Sequence, residues 1–191
     1  MMTRGPVQEG EASTHKLASY ELVPSAAASV LDVGCGAGED VLALAERLGP
    51  RCLIVGIDVS LERVDEAQRA LRNVALNARF AVGDARSLPF SDDGFDVVRA
   101  DGLFSALSER ARALRELARV AAPGGRILIH DLESAVLAPS ADEDDTLALM
   151  RRAGLASVEL SEAPRRPHAA VPRQLTLLGI KPKEGGRFGQ P

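Results

Sequence analysis

A chain of 191 residues fits one domain, and with 46% hydrophobic residues it can bury a core without help from disulfides or metals. Its formal charge of -4 argues against a dedicated nucleic-acid surface, because phosphate binding draws on a concentrated field of Lys and Arg. Two cysteines, Cys35 and Cys52, cannot complete a tetrahedral zinc site, no CxxC or HExxH spacing brings in histidines, and no stretch reaches the roughly 20 apolar residues that span a bilayer.

Met1 to Ser13 is polar and carries Gly5, Pro6 and Gly10, and Met1 to Leu22 has no apolar run of signal-peptide character, so a cytoplasmic location with reduced thiols is expected. A short helix is predicted over His15 to Val23, stopped by Pro24. Ser29 to Val33 is the first convincing strand, ending at Asp32 and a glycine-rich turn. Glu39 to Leu48 repeats Val41, Leu42, Ala45 and Leu48 near a 3.6-residue period until Gly49-Pro50 ends it. Cys52 to Ile57 is a continuous apolar run, as in a strand covered on both faces. Ser60 can cap a helix over Leu61 to Leu71.

Strands follow at Arg79 to Val82 and Phe95 to Val98, the second preceded by the turn Ser91-Asp92-Asp93-Gly94. Glu109 to Val120 is amphipathic, Pro123-Gly124-Gly125 breaks it, and Arg126 to His130 supplies a fifth strand. A helix over Asp144 to Arg152 and strands at Ala156 to Leu160 and Gln174 to Ile180 close the pattern. Alternating strands and helices imply right-handed crossovers, hence an α/β sheet, mostly parallel, with helices on both faces. The domain is expected over residues 29 to 181, preceded by a partly mobile segment 1 to 28 and followed by a tail from 182 to 191.

The turn Gly34-Cys35-Gly36-Ala37-Gly38, between a strand and a helix, allows positive φ and close backbone approach by a ligand. Alone it could equally be a tight connection. Asp58 ends the next strand, where a carboxylate can accept both hydroxyls of a ribose, although a lone Asp there could equally cap a helix. In a parallel sheet the two strand ends face one crevice. A dinucleotide fingerprint wants Gly-x-Gly-x-x-Gly, whereas here the third glycine is Gly38 and Glu39-Asp40 follow. Two acids would repel the pyrophosphate that a helix N-terminus attracts, which argues against NAD and favours a ligand without phosphate, such as a sulfonium.

Val30-Leu31-Asp32-Val33-Gly34-Cys35-Gly36-Ala37-Gly38 resembles the first motif of the class I S-adenosylmethionine-dependent methyltransferases, in the subgroup around ubiquinone and menaquinone biosynthesis. In order come Gly56-Ile57-Asp58-Val59-Ser60, Gly83-Asp84-Ala85 with Leu88-Pro89-Phe90, Phe95-Asp96-Val97-Val98, and Ala113 to Val120 before Pro123-Gly124-Gly125-Arg126. The resemblance implies a Rossmann-like, seven-stranded sheet and methyl transfer from S-adenosylmethionine, with S-adenosylhomocysteine as product. It implies that the backbone of Gly34, Cys35 and Gly36 passes the methionine moiety while Asp32 organises its amino end. Asp58 would hold the ribose, Val59 would lie against the adenine, and Asp84 and Ala85 would meet the adenine edge. Arg99 to Leu103 would line the cofactor near its methyl.

Methyl transfer needs no catalytic dyad, and a base is required only when the acceptor must lose a proton. His130 and Asp131, at the end of the fifth strand, are the candidates, with the alternative that they merely close the strand. His15 and Tyr20 could reach the pocket if the N-terminal segment folds over it, and His168 reads as a solvated loop residue. Ser105-Ala106 stands where many relatives carry His-His, so no role tied to those histidines transfers. Only Leu132 to Ala141 is available to roof the acceptor site. An open pocket, an N-terminal cover or a partner subunit, as in a homodimer, would complete it. A small-molecule acceptor is expected, with a non-catalytic S-adenosylmethionine-binding or assembly subunit as the alternative.

Overall fold

The computed structural model describes residues 20–72, 76–132, 146–162 and 174–183. The readings for His15, His168, most of the roof segment and most of both termini lie outside the described residues. In chain order the elements are β1 Ser29–Val33, α1 Glu39–Leu48, β2 Leu53–Asp58, α2 Leu61–Leu71, β3 Ala78–Val82 and β4 Phe95–Asp101. They continue with α3 Arg110–Val120, β5 Ala121–Leu132, α4 Thr146–Arg152, β6 Ala156–Glu162 and β7 Gln174–Ile180. The sheet runs β3-β2-β1-β4-β5-β7-β6. It is parallel from β3 to β5, and β7 lies antiparallel to both β5 and β6. Chain order reverses between β1 and β4, the switch point at which a crevice opens outside the strand ends.

Alternation along each strand divides the core into two layers. Leu31, Val33, Val98, Ala100, Ile127 and Ile129 join Leu114 and Leu117 of α3 and Met150 of α4 on one face. Val30, Ile54, Val97 and Leu128 join Val41, Leu44 and Ala45 of α1 on the other. Leu114 is 1% exposed, so its truncation to Ala would cost about 2–5 kcal/mol. Asp32 stands between Leu31 and Val33 and therefore shares the α1 face with Val30.

The α1 and α2 bounds coincide with the sequence reading, because glycines bracket α1 and the Ser60 hydroxyl accepts the Arg63 N–H at 3.3 Å as a true N-cap. The fifth strand is longer than predicted. Ala121 already pairs with Phe95, the register then shifts, and Arg126 pairs with Val97, so Pro123-Gly124-Gly125 forms an irregularity inside β5 rather than a break before it. No helix among the described residues is long and apolar enough to cross a membrane.

Two of the sequence motifs turn out to hold the framework. The Asp96 carboxylate accepts the Ala28 and Ser29 N–H groups at 2.8 and 3.1 Å, fastening the start of β1 to β4. On α3, Glu116 accepts the Leu88 N–H at 2.8 Å, while Arg119 donates to the Leu88 and Phe90 carbonyls at 3.0 and 2.8 Å. The hydrogen bond from Arg119 also lowers the pKa of the Glu116 carboxyl. The segment Leu88-Pro89-Phe90 is thereby clamped by the helix motif that accompanies it in sequence.

Candidate functional site

The β1–α1 loop is built on backbone donors and one carboxylate. The Gly34 and Cys35 N–H groups both donate to the Ile57 carbonyl, at 2.8 and 3.0 Å. Gly36 N–H donates to Asp58 Oδ2 at 2.9 Å, and Ser60 N–H donates to Asp58 Oδ1 at 2.9 Å. Asp58 thus ties the glycine loop to the end of β2 while each oxygen keeps a lone pair for a further donor. Gly38 has φ 84°, and a Cβ there would stand 2.6 Å from Phe80 and 2.8 Å from the Ala67 Cβ, so the position demands glycine twice over. At Gly36, φ 55°, the nearest atom to an added Cβ is Arg63 Nη1 at 3.9 Å, so this side of the loop is an open cradle.

Outside the loop lies a pocket lined by Asp32, Glu39, Asp40 and Asp101, with Arg63 facing the glycine backbone. The sheet register explains the acids. Asp32 pairs with Arg99, and Arg99 with Leu128, so the Arg99 side chain projects beside Asp32 on the α1 face. Its guanidinium, 2% exposed, lies 3.2 Å from Asp32, 3.3 Å from Asp40 and 3.0 Å from Asp101. Burial opposes that charge, but the three carboxylates outweigh it and raise the pKa of Arg99. Tyr20 closes the cluster: its ring lies under Arg99 at 5.3 Å, and its hydroxyl donates to Asp40 Oδ1 at 2.7 Å. Burial, with that hydrogen bond, raises the phenol pKa, so Tyr20 is a donor at neutral pH.

The predicted residues distribute unevenly around this pocket. Asp32, Gly34, Cys35 and Gly36 line it. Cys35 contributes backbone rather than a nucleophile, since burial, reinforced by Asp32 and Asp58, pushes its thiol up to about 12. Val59, 73% exposed, offers an apolar face beside Asp58. Asp84 is clamped by Arg86 through contacts of 2.6 and 3.0 Å, and these hydrogen bonds hold its carboxyl at about 2. Arg86 also reaches Glu109 at 2.9 Å, and Ala85 is buried. Arg99 sits behind the pocket wall, touching the acids that form it rather than lining it. Neither His130 nor Asp131 lines it either. The buried His130 ring meets Thr176 Oγ1 at 2.8 Å, and Asp131 accepts the Ser105 N–H at 2.9 Å, steadying the segment after β4.

Glu39, Asp40 and Arg63 were not singled out as site residues by sequence reasoning. The first two carried a signal, the unusual pair of acids directly after the glycine turn. Arg63 carried one as well, a cation in the opening turn of a helix where acids are favoured.

An acidic, glycine-walled pocket fits a cation and repels a pyrophosphate, which separates it from dinucleotide sites of similar topology. Comparison with known proteins agrees. Residues 24–164 match the methyltransferase domain family. The chain is 33% identical to methyltransferase GfsG of Streptomyces halstedii over 194 aligned residues, covering 91% of this chain and 68% of that protein. It is 40% identical over 102 residues to the chloroplastic tocopherol O-methyltransferase of Arabidopsis thaliana, covering 52% of this chain. Apart from GfsG, the chain spans only 29% to 45% of the length of these curated relatives. In fold it is similar to an S-adenosylmethionine-dependent methyltransferase from Mesorhizobium loti, with a TM-score of 0.73 at 18% identity, covering 90% of this chain and 100% of that one. On its ordered motifs, its sheet order and the match across most of its length, the chain belongs to the class I S-adenosylmethionine-dependent methyltransferase family.

Proposed function

We propose that the protein binds S-adenosylmethionine on the β1–α1 loop and transfers its methyl group to a small-molecule acceptor. The observation that carries this reading is the acidic pocket: four carboxylates, Asp32, Glu39, Asp40 and Asp101, around a loop whose Gly36 side is open. The donor supplies an electrophilic methyl on a positively charged sulfur. What the protein adds is binding, orientation and exclusion of water.

In this reading the Gly34–Gly36 backbone carries the methionine moiety and Asp32 receives its ammonium group. Asp58, already fixed by two backbone donors, accepts the ribose hydroxyls through its remaining lone pairs. Val59 lies against the adenine, and Asp84 and Ala85 meet its edge. Arg99 is a positioning residue, holding three pocket acids in place through its ion pairs with them. His130 and Asp131 serve as base or orienting group only for an acceptor that must lose a proton. Asp131 already accepts the Ser105 N–H, which fixes the orientation of its carboxylate.

The resemblance to quinone-biosynthesis methyltransferases suggests a panel weighted towards phenols and other apolar hydroxylated metabolites. Release of S-adenosylhomocysteine from the purified full chain, with and without each acceptor, tests the proposal. Acceptor-dependent release supports it. Cofactor binding without turnover across the panel would overturn catalysis and favour a non-catalytic binding subunit.

A further inference from the structure

A row of polar side chains crosses the sheet on its α1 face, at the carboxyl ends of the parallel strands. Asp32 pairs with Arg99, Asp101 with His130, and His130 with Thr176. Directly paired residues share a face, and Leu128 and Leu178, each two positions from His130 and Thr176, both pack with the α1-side core. His130 is 4% exposed and Thr176 7%. Asp101, beside His130 in the register, lines the acidic pocket. The His130 carbonyl accepts the Gly102 N–H at 2.8 Å, so the histidine stands at the root of the segment that follows β4.

Packing alone does not explain the end of this row. Thr176 interrupts a run of leucines, Leu175, Leu177 and Leu178, and a Val there would have nearly the same shape with no hydroxyl to desolvate. The hydroxyl instead meets the His130 ring, with Oγ1 2.8 Å from Nδ1. Whatever holds Nδ1 decides the work of the other nitrogen: with the proton on Nδ1, Nε2 is an acceptor, and without it Nε2 is a donor. In a Ser-His-Asp site a carboxylate holds Nδ1–H, and Nε2 acts as the base. A hydroxyl fills the same place without adding charge, and its own proton rotates out of the way. It accepts Nδ1–H equally before and after the ring takes up a second proton.

We propose that Thr176 is a positioning residue that holds His130 in the Nδ1–H tautomer, making Nε2 the base for a hydroxylated acceptor. This rests on the reading of His130 given above, as the base for an acceptor that must lose a proton. The acceptor O–H proton passes to Nε2 as the oxygen–methyl bond forms and the carbon–sulfur bond breaks, its electron pair staying on sulfur. The imidazolium keeps its Nδ1–H on Thr176 and gives up the Nε2 proton to solvent once the product leaves. An acceptor already ionised at neutral pH needs none of this.

The chain has three histidines, so nitrogen NMR of the full chain with isotopically labelled histidine shows three rings, and His130→Gln identifies the one at the end of β5. In the neutral ring the proton is expected on Nδ1 in the parent and in Thr176→Ser, and on Nε2 in Thr176→Val. A parent ring protonated on Nε2, or a tautomer that Thr176→Val leaves unaltered, would overturn the proposal with no acceptor needed. Turnover supplies a second readout. With simple phenols Thr176→Val should lose about tenfold or more in kcat and Thr176→Ser should recover most of it, while the KM for S-adenosylmethionine stays within about twofold. Nitro-substituted phenols, ionised at neutral pH, should show little loss, and an equal loss with both kinds of phenol would mark a merely structural role and overturn the proposal. A parent protein that methylates nothing in the panel is a different result: it removes the methyl-transfer reading, while the tautomer still decides what Thr176 does to His130.

Discussion

Replacing Arg99 by Met strands three acids in the interior. The side chain is 2% exposed, with Asp32 and Asp40 at 3% and 12% and Asp101 at 17%, so solvent screens little of the interaction. Its contacts with Asp40 and Asp101, at 3.3 and 3.0 Å, are charge-assisted hydrogen bonds of about 1.5–3 kcal/mol each, and the 3.2 Å contact with Asp32 is an ion pair, all offset in the parent by the desolvation of the guanidinium. Removing one partner of such a cluster leaves uncompensated charge, and a loss of about 3–5 kcal/mol is expected. Met preserves most of the packing volume, which isolates the electrostatic part. Urea unfolding at neutral pH, followed by far-UV circular dichroism, measures it, with an unchanged m-value as the sign that the unfolded state is unaltered. Arg99→Lys keeps the charge but loses the fork and should fall between the two. A loss below about 1 kcal/mol for Arg99→Met would show that the acids do not depend on Arg99, and the account of the pocket wall would fail.

Asp58→Ala removes both the anchor of the Gly36 N–H and the proposed ribose acceptor, and should weaken S-adenosylmethionine binding by about 1–3 kcal/mol in calorimetry; unchanged affinity would refute the assignment. Gly38→Ala combines left-handed strain with contacts at 2.6 and 2.8 Å and should cost about 2–5 kcal/mol of stability, whereas Gly36→Ala, with open space around it, should cost about 1–2. Equal costs would contradict the packing described at Gly38. Asp84 has a folded pKa of about 2 against an ordinary 3.8, so its contribution to stability is present above about pH 4 and is lost as the pH falls towards 2. Asp84→Asn should flatten the unfolding profile in that window, and an unchanged profile would show that the Arg86 clamp is absent in solution. With its thiol near 12, Cys35 should resist iodoacetamide at pH 8 in the folded protein and react only after unfolding.

Much of this was legible in the sequence because the punctuation is strong. Gly38, Gly49-Pro50 and Ser60 mark helix ends by mechanisms that act locally, and the bounds of α1 and α2 follow from them. At Pro123-Gly124-Gly125 the same local rule misleads, since pairing of Ala121 with Phe95 across the sheet extends β5 past residues that would otherwise stop it. The glycine loop, Asp32 and Asp58 could be read from order and spacing. The fate of Arg99 could not, because its burial depends on the β1–β4 register, which sets it beside Asp32 and over the Tyr20 ring. His130 illustrates the same limit: a strand-end histidine looks available in sequence, and the antiparallel partner β7 brings Thr176 against its ring. Glu116 and Arg119 were visible as part of a motif, but their grip on Leu88 and Phe90 spans 28 to 31 residues and appears only in three dimensions.

An acidic, glycine-walled pocket should select a sulfonium donor over a phosphate-bearing nucleotide. Side-by-side calorimetry of the purified full chain with S-adenosylmethionine and NAD tests it most directly. Saturable binding of S-adenosylmethionine and none of NAD is expected. Binding of NAD, or a folded protein that takes up no S-adenosylmethionine, would contradict it.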